Sequence, residues 1–318
     1  MHISSERFNG ESKDPVPAQS LKKPLVSVVI PAFNNAALLR ETLDGVKRQT
    51  MKNVEVIVVD DGSNDDTAEV VRCYDPEIVY RYQPNQGQAA ARNNGVSLAR
   101  GYYIAFCDHD DVWNERHLEK LLECMTSHPN TGMAFDNAEY FGNGVGLKLC
   151  VTPRLSKSLD TKIIGLNFLL WKYPVASMSV VMVRKDCFQR LQGLSSRSGA
   201  MDDYHFYLRM AANRDVRYVD YVGCRKRVSD SNLSSLVNLK YTNVLYLEDI
   251  SKNHPEVVRK VGRISFRARL GRKYFKLGRY YSRHHDVRGA REMFWRAYRA
   301  NPFNPRYLLK YVSIAFME

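Results

Sequence analysis

Apolar strands alternate with amphipathic helices from residue 26 to about residue 127, and this alternation constrains the fold more than any other feature. The run VSVVIPAFN (26–34) is followed by Leu39, Leu43 and Val46 at helical spacing, and VEVIVVDDGSND (54–65) returns to a strand. Strands that are apolar along their whole length need cover on both faces, which is typical of mainly parallel sheets. The sequence therefore predicts an α/β fold with a mainly parallel, Rossmann-like sheet covered by helices.

The same periodicity predicts the remaining elements. The ranges expected for helices are 67–74, 89–98, 115–127, 160–171 and 185–191. The ranges expected for strands are 78–82, 102–106 and 176–183. Residues 142–157 show no clear period and are expected to form a loop.

Two acidic clusters follow strands of the predicted sheet. Asp60 and Asp61 end one strand, and the stretch AFCDHDDVW places Asp108, Asp110 and Asp111 after another. Ligands of such sheets bind outside the carboxyl ends of the strands, so both clusters are expected at one crevice. Mg²⁺ and Mn²⁺ prefer carboxylate oxygens and complete their shells with water and phosphates. The clusters therefore predict a divalent metal site that carries a diphosphate.

Within the second cluster, side-chain alternation assigns different roles to the acids. Asp108 and Asp110 face the same way if the strand extends through them, and they are the predicted metal ligands. Asp111 would face away, and we interpret it as a capping or orienting acid for the next helix. A solvated acidic turn is the alternative for the whole cluster.

The positive charge of the chain is concentrated at its end. The formal net charge is +13, and residues 251–318 hold 17 Lys and Arg against 4 Asp and Glu. Such a shift in composition indicates a domain boundary. We predict a flexible tail over 1–24, a catalytic domain over 25–240 and a basic helical extension over 241–318.

The extension has a repeat-like pattern of its own. Its small and aromatic residues have the spacing of one tetratricopeptide-like helix pair; they are Tyr274, Leu277, Gly278, Tyr281, Ala290, Phe294, Ala297 and Pro302. A basic helical segment of this kind can lie on an anionic membrane surface. A solvated basic face without a partner and a homodimer both stay open as alternatives. No nucleic acid is expected as a partner.

The cysteines and the start of the chain bear on the compartment. Six cysteines lie far apart without a CxxC pair, which argues against a zinc ribbon or a disulfide framework. No secretory signal and no run of transmembrane length is visible. We expect a cytoplasmic protein, peripheral on the inner face of the cell membrane.

Three stretches in ordered succession, VSVVIPAFNNAALLRETLDGVKRQT, VEVIVVDDGSNDDT and NQGQAAARNNGVSLARGYYIAFCDHDDVW, resemble the family 2 glycosyltransferases. The resemblance implies the GT-A fold and an inverting reaction with a nucleotide-diphospho-sugar. It places one set of residues around the nucleotide base, namely Pro31, Ala32, Phe33 and Asp61. It places a second set beside the donor sugar and diphosphate, namely Gly87, Arg92, Asn93, Asp108 and Asp110, the last two with the metal.

Two later segments resemble further elements of this family. Asp202 and Asp203 match a Glu-Asp pair that opens a helix, which makes Asp203 the catalytic base and Asp202 a departure from the usual Glu. The segment KRVSDSNLS matches a pattern near the donor phosphates through Arg227, Asn232 and Ser234. Ser229 stands where the family commonly has His.

The resemblance therefore implies a hexosyltransferase that depends on Mg²⁺ or Mn²⁺. Its donor would be a UDP-sugar, and its acceptor a saccharide or lipid-linked saccharide in surface-glycan biosynthesis. Two alternatives stay open. One is a non-catalytic nucleotide-sugar binder on the same fold, and the other is a phosphatase or phosphotransferase with a DxD motif, which would require Thr where this chain has Val112.

Overall fold

One nine-stranded sheet runs through the computed structural model, which describes residues 23–74, 76–142, 148–196, 201–229 and 239–315. The strands are β1 Val26–Ala32, β2 Val54–Asp60, β3 Val79–Tyr82, β4 Tyr103–Phe106, β5 Val112–Trp113, β6 Thr131–Gly142, β7 Lys148–Leu149, β8 Val181–Arg184 and β9 Asp215–Val228. Their order in the sheet is β3-β2-β1-β4-β8-β6-β9-β5, and β7 pairs with β6.

The first half of the sheet is parallel, as the sequence predicted. Strand β1 is buried along its whole length and pairs with β2 on one side and β4 on the other. Its register with β2 runs from Val26 opposite Val54 to Ala32 opposite Asp60. The two strands therefore end side by side, and their following loops meet at one edge.

The second half mixes directions and contains two long strands that the sequence pattern did not identify. Strand β8 pairs antiparallel with β4 and β6, whereas β6 and β9 run parallel with several register shifts. Alternation in β9 is obscured by charged residues in DVRYVDYVGCRKRV, whose burial is irregular. The parallel ladders remain the longest in the sheet, so the predicted fold class is confirmed.

Helices cover the sheet and continue to the end of the described chain. They are α1 Ala36–Lys47, α2 Thr67–Tyr74, α3 Gln88–Leu98, α4 His117–Ser127, α5 Pro153–Leu159, α6 Leu166–Trp171, α7 Lys185–Arg190, α8 Asp202–Asn213, α9 Leu239–Asn253, α10 Pro255–Val261, α11 Arg263–Arg283, α12 Val287–Ala300 and α13 Pro305–Ala315. Among the residues that the structure describes, no helix combines the length and the apolar character needed to cross a membrane.

Three elements predicted within residues 142–183 are wrong in detail. Only Leu166–Trp171 of the expected helix over 160–171 is helical, because Asp160 and Ile163 form isolated bridges to β9. The expected strand over 176–183 begins with a short 3-10 helix, Met178–Val180. The expected loop over 142–157 contains β7 and most of α5, while residues 143–147 lie outside the described chain.

The C-terminal helices share a hydrophobic core with the sheet. Leu247, Ile250 and Phe266 are fully buried in the same cluster as β1 and β4. Helices α11 and α12 occupy the predicted helix pair, where Gly278 lets the ring of Phe294 approach so closely that a Cβ would lie 2.8 Å from it. Residues 1–22 of the predicted tail lie outside the described chain.

A glycine on α3 tests how tightly this helix packs on the sheet. A Cβ at Gly95 would lie 2.4 Å from Cγ1 of Val29 and 3.3 Å from Val59. Gly95→Ala should therefore lower the free energy of unfolding by about 1–3 kcal/mol through overpacking. Gly165→Ala is the control, since no atom lies within 4 Å of its added Cβ. Urea denaturation that found the two variants equally stable would contradict this packing.

Candidate functional site

The loop after β2 holds Asp61 at the entrance to α3. The Asp61 carboxylate accepts hydrogen bonds from Nε2 of Gln83 at 2.7 Å and from the backbone N–H groups of Gln86 and Gly87 at 2.8 Å. Gly87 has φ +86°, a conformation that favours glycine. Asp61 thus fixes the turn from which α3 begins.

The end of β1 lies beside this turn, so the residues expected around the nucleotide base come together. The backbone N–H of Asp61 donates to the carbonyl of Ala32 at 2.8 Å. Pro31 and Ala32 are buried, whereas the ring of Phe33 is 42% exposed. An exposed ring next to a buried carboxylate can stack on a base while polar groups contact its edge.

Arg92 of α3 connects the acidic turn after β4 with the acidic start of α8. Its side chain is buried, and its guanidinium lies 2.6 Å from Oδ1 of Asp108 and 3.3 Å from Oδ2 of Asp202. The Gln88 amide, one turn earlier, donates to Oδ1 of Asp202 at 3.2 Å. The turn after β4 and the start of α8 are therefore held at one place by a single cation.

The turn after β4 differs from the predicted geometry because the strand ends at Phe106. Asp108 instead begins a turn that is closed by the N–H of Asp111 at 3.1 Å, and its own N–H donates to the hydroxyl of Ser179. Burial raises the pKa of Asp108, but Arg92 and Lys226 more than offset this and hold it below its usual value. Asp108 is therefore an anion at neutral pH.

His109 and Asp110 occupy the middle of this turn. Nδ1 of His109 lies 3.1 Å from the carbonyl oxygen of Pro31, so the imidazole contacts the end of β1. The Asp110 side chain is partly exposed, and its carbonyl accepts from Nε of Arg227 at 3.1 Å. The Asp110 carboxylate is thus available at the surface of the crevice.

Asp111 does not cap the next helix, which begins only at His117. Its carboxylate is fully buried, accepts from the N–H of Arg227 at 3.0 Å, and lies 3.7 Å from Nζ of Lys226. Its pKa is raised to about 6, chiefly by burial; Lys226 opposes the rise, and the charges of Asp108 and Asp110 add to it. The pairing of β5 with β9 places these groups together.

Asp202 and Asp203 form the first turn of α8, as the sequence predicted. Asp202 is buried against Arg92, and Asp203 is partly exposed. Burial, with the charge of Asp202 as a second cause, raises the pKa of Asp203 to about 7. A carboxylate with this pKa can accept a proton near neutral pH.

Two of the predicted residues have other partners. Asn93 exchanges two hydrogen bonds of 2.9 Å with the backbone of Leu194, which turns its amide toward that loop. The Arg227 guanidinium pairs with Glu41 of α1 at 2.6 Å and lies over the ring of Phe141. Asn232 and Ser234 lie outside the described residues.

Two contributors were missed by the sequence analysis. Lys226 is adjacent to the predicted Arg227, yet only the β5–β9 pairing brings it to Asp111. Ser179 holds the start of the acidic turn from a 3-10 helix that was expected to be a strand. No local sequence signal marks either residue, since both act through contacts between distant segments.

A buried cation thus joins a carboxylate turn and a carboxylate pair at the carboxyl edge of the sheet, which is where sheets of this kind bind their ligands. The family model for "Glycosyl transferase family 2" matches residues 27–192, just over half of the chain. The chain belongs to glycosyltransferase family 2. Its sheet, with helices around it, has the GT-A fold.

One curated relative and two solved structures are similar to this chain. The putative teichuronic acid biosynthesis glycosyltransferase TuaG of Bacillus subtilis is 40% identical over 108 residues, which are 32% of this chain and 42% of TuaG. Staphylococcus aureus TarS 1–349, solved with UDP-GlcNAc, superposes with a TM-score of 0.68 at 16% identity, covering 91% of this chain and 88% of TarS 1–349. The mannosyltransferase PcManGT of Pyrobaculum calidifontis, solved with GDP-Man and Mn²⁺, has a TM-score of 0.55 at 20% identity, covering 96% and 88%.

Arg92→Met tests whether one cation stabilises both acidic segments. Removing the charge leaves Asp202 buried without a cation, so the free energy of unfolding should fall by about 3–5 kcal/mol. Arg190→Met is the control, because Arg190 and Asp186 form a half-exposed pair at 3.1 Å whose loss should cost less than about 1 kcal/mol. Equal losses in chemical denaturation at neutral pH would contradict the role of Arg92.

Proposed function

We propose that this protein is a metal-dependent, inverting hexosyltransferase that moves a sugar from a nucleotide-sugar, a UDP-sugar in particular, to a saccharide or lipid-linked saccharide acceptor. The bridge formed by Arg92 carries the proposal. It holds the acidic turn, residues 108–111, at a fixed separation from the carboxylate pair Asp202 and Asp203. An inverting displacement needs these two functions at once, one for the leaving diphosphate and one for the attacking hydroxyl.

The acidic turn fits a hard divalent cation. Arg92 bonds to Oδ1 of Asp108, and among the described residues no protein group bonds to Oδ2 of Asp108 or to the carboxylate of Asp110. Asp108 and Asp110 would therefore hold Mg²⁺ or Mn²⁺, which when bound supplies Lewis-acid stabilisation for the leaving diphosphate. The Mn²⁺ in the PcManGT structure supports this assignment.

On the opposite side, Asp203 would act as the general base. One of its oxygens accepts the N–H of Tyr204 at 2.6 Å, which orients the carboxylate and leaves the other oxygen for the acceptor hydroxyl. Asp202 raises the pKa of Asp203 and is itself held by Arg92. As the hydroxyl attacks the anomeric carbon, its proton passes to Asp203 and the nucleoside diphosphate leaves with the bonding electrons.

The neighbours guide the choice of donor and acceptor. TarS was solved with UDP-GlcNAc and PcManGT with GDP-Man, which supports a nucleotide-sugar donor and, with the higher TM-score, UDP. The name of TuaG supports an acceptor from a surface glycan. In this proposal Phe33 and Asp61 contact the base, and Gly87, Arg92 and Arg227 lie near the sugar and diphosphate.

A panel of nucleotide-sugars with Mn²⁺ tests the proposal directly. Slow hydrolysis of one donor, with release of the nucleoside diphosphate, is the expected result. Thermal stabilisation by a donor without any turnover would favour the non-catalytic binder instead. Turnover of generic phosphoesters would favour the DxD phosphatase.

Asp110→Ala should abolish transfer and weaken Mn²⁺-dependent binding of UDP, because the cation loses a carboxylate. Calorimetry with and without Mn²⁺ measures this, and donor hydrolysis gives the rate. Asp186→Ala, which removes an acid from a surface pair on α7, is the matched control and should change neither. Unchanged metal dependence in Asp110→Ala would contradict the metal assignment.

Asp203→Asn separates chemistry from binding. Transfer should fall by about 10²–10⁴-fold while donor affinity survives. In the parent protein, kcat/KM should rise with pH through about 7 as Asp203 loses its proton, and the variant should lack this rise.

The same substitution has an effect on stability whose sign follows from the raised pKa. The folded state holds the proton of Asp203 up to about pH 7, whereas the unfolded chain releases it near its ordinary value of 3.8. Stability from this group is therefore present at low pH and is lost as pH rises toward 7. Asp203→Asn should therefore flatten the dependence of stability on pH between about 3.8 and 7. If the variant loses donor affinity as strongly as it loses transfer, Asp203 has a structural role instead.

The last helix supports attachment to an anionic membrane. On α13, Leu309 and Val312 are 67% and 44% exposed, and Phe303 just before it is 88% exposed. Arg306 and Lys310 lie in the same segment, and each basic residue near an anionic surface contributes about 1 kcal/mol. We therefore place the protein at the inner face of the cell membrane.

Vesicle sedimentation tests this attachment with point variants, since the C-terminal helices share the core and should stay in place. The full chain should sediment with anionic vesicles at low salt, be released by high salt, and ignore neutral vesicles. Leu309→Glu should abolish sedimentation, whereas Ile163→Glu, at a 54% exposed site outside the C-terminal helices, should not. If the parent protein does not bind vesicles but forms a dimer that Leu309→Glu abolishes, the proposed membrane attachment is contradicted. The exposed face of α13 would then bind a second copy of the chain.

A further inference from the structure

Three metal-ligating side chains from separate segments meet beside α8. His205 of α8 is buried, Asp249 lies near the end of α9, and His254 precedes α10. Nε2 of His205 is 2.7 Å and Nε2 of His254 is 3.9 Å from the same Oδ2 of Asp249. All three candidate ligand atoms lie within 4.8 Å of one another.

We propose that His205, Asp249 and His254 form a second metal site, separate from the acidic turn, that takes a borderline transition-metal ion such as Zn²⁺. Imidazole nitrogen and carboxylate oxygen are ligands of such ions, at about 2.0–2.2 Å. Tetrahedral geometry at those lengths separates ligand atoms by roughly 3.4 Å, which lies between the distances of this cluster. Water would occupy the fourth position.

The surroundings of the cluster have the outer arrangement that metal sites use. Nδ1 of His254 faces Oε1 of Glu256 at 3.4 Å, so a carboxylate can orient this imidazole with Nε2 toward the ion. The second oxygen of Asp249 accepts from the Asn253 amide at 2.7 Å. Both ligands are therefore oriented by a group that leaves their coordinating atom available.

The protonation states also suit metal binding, which needs neutral imidazoles. Burial lowers the pKa of His205 to about 3, and burial likewise lowers the pKa of His254, with the Arg209 guanidinium as the second cause in each case. On binding, the proton of His205 Nε2 would move to Nδ1, which has no hydrogen-bond partner among the described residues. Arg209 opposes the ion, and Asp249 offsets that charge.

Such an ion would join the C-terminal helices to the helix that carries Asp203. His205 lies two residues after Asp203, whereas Asp249 and His254 flank the junction of α9 and α10. Metal at this place would hold the first turn of α8 against the extension without touching the donor. The site is thus a positioning device for α8 and does not depend on the proposed sugar transfer.

Co²⁺ titration of the metal-free full chain tests the site by visible absorption. A four-coordinate site with nitrogen ligands absorbs strongly, whereas six-coordinate Co²⁺ among oxygens absorbs weakly, which separates this cluster from Asp108 and Asp110. We expect one strongly absorbing ion per chain. His254→Ala should lower its affinity by at least about 100-fold, and Glu256→Gln, which keeps every ligand, by about 10-fold.

His284→Ala is the matched control, because His284 is exposed on the same extension and should not affect the band. No strong band in the parent protein, or a band that both His254→Ala and Glu256→Gln leave unchanged, would overturn the proposal. Should His254→Ala lose its circular dichroism spectrum, Glu256→Gln alone decides between the outcomes.

Discussion

The interaction on which the site depends is the burial of one guanidinium between two carboxylates from distant segments. Arg92 is placed by α3, Asp108 by the end of β4 and Asp202 by the start of α8. Desolvating these charges is costly, and only their mutual contacts offset the cost. The Arg92 contacts therefore hold the acidic turn and the pair of Asp202 and Asp203 in fixed positions relative to each other. Loss of these contacts would free both segments to move.

A second pair of charges, the buried Asp111 and the partly exposed Lys226, supports the same turn. Strand β9 supplies both Lys226, whose Nζ lies 3.7 Å from the Asp111 carboxylate, and the N–H of Arg227, which donates to that carboxylate. This explains why three acids can follow one strand. Arg92 bonds to one oxygen of Asp108 and Lys226 faces Asp111, so that Asp110 and the other oxygen of Asp108 remain for a cation. The carboxylate oxygens without a basic partner are therefore the ones available for binding.

The first half of the fold and the acidic clusters could be predicted from sequence because their signals are local. Apolar strands such as VSVVIPAFN show their burial directly, and strand ends fix where Asp61 and Asp108 lie. Strand β9 could not be predicted because its irregular burial removes the alternation, and β6 could not because the buried polar residues Asp136 and Asn137 interrupt its apolar run. Lys226 and Ser179 were missed because each reaches the acidic turn only through contacts between segments far apart in the sequence. Asp111 was misassigned because the strand stops at Phe106.

The most direct measurement of the central claim is anomalous diffraction from crystals grown with UDP and Mn²⁺. The account predicts a manganese peak between the carboxylates of Asp108 and Asp110 and the diphosphate, with the base of UDP between Phe33 and Asp61. It also predicts that Arg92 keeps its contacts with Asp108 and Asp202 in that complex. UDP bound at the strand ends with no manganese peak at this turn, or bound elsewhere on the molecule, would contradict the account.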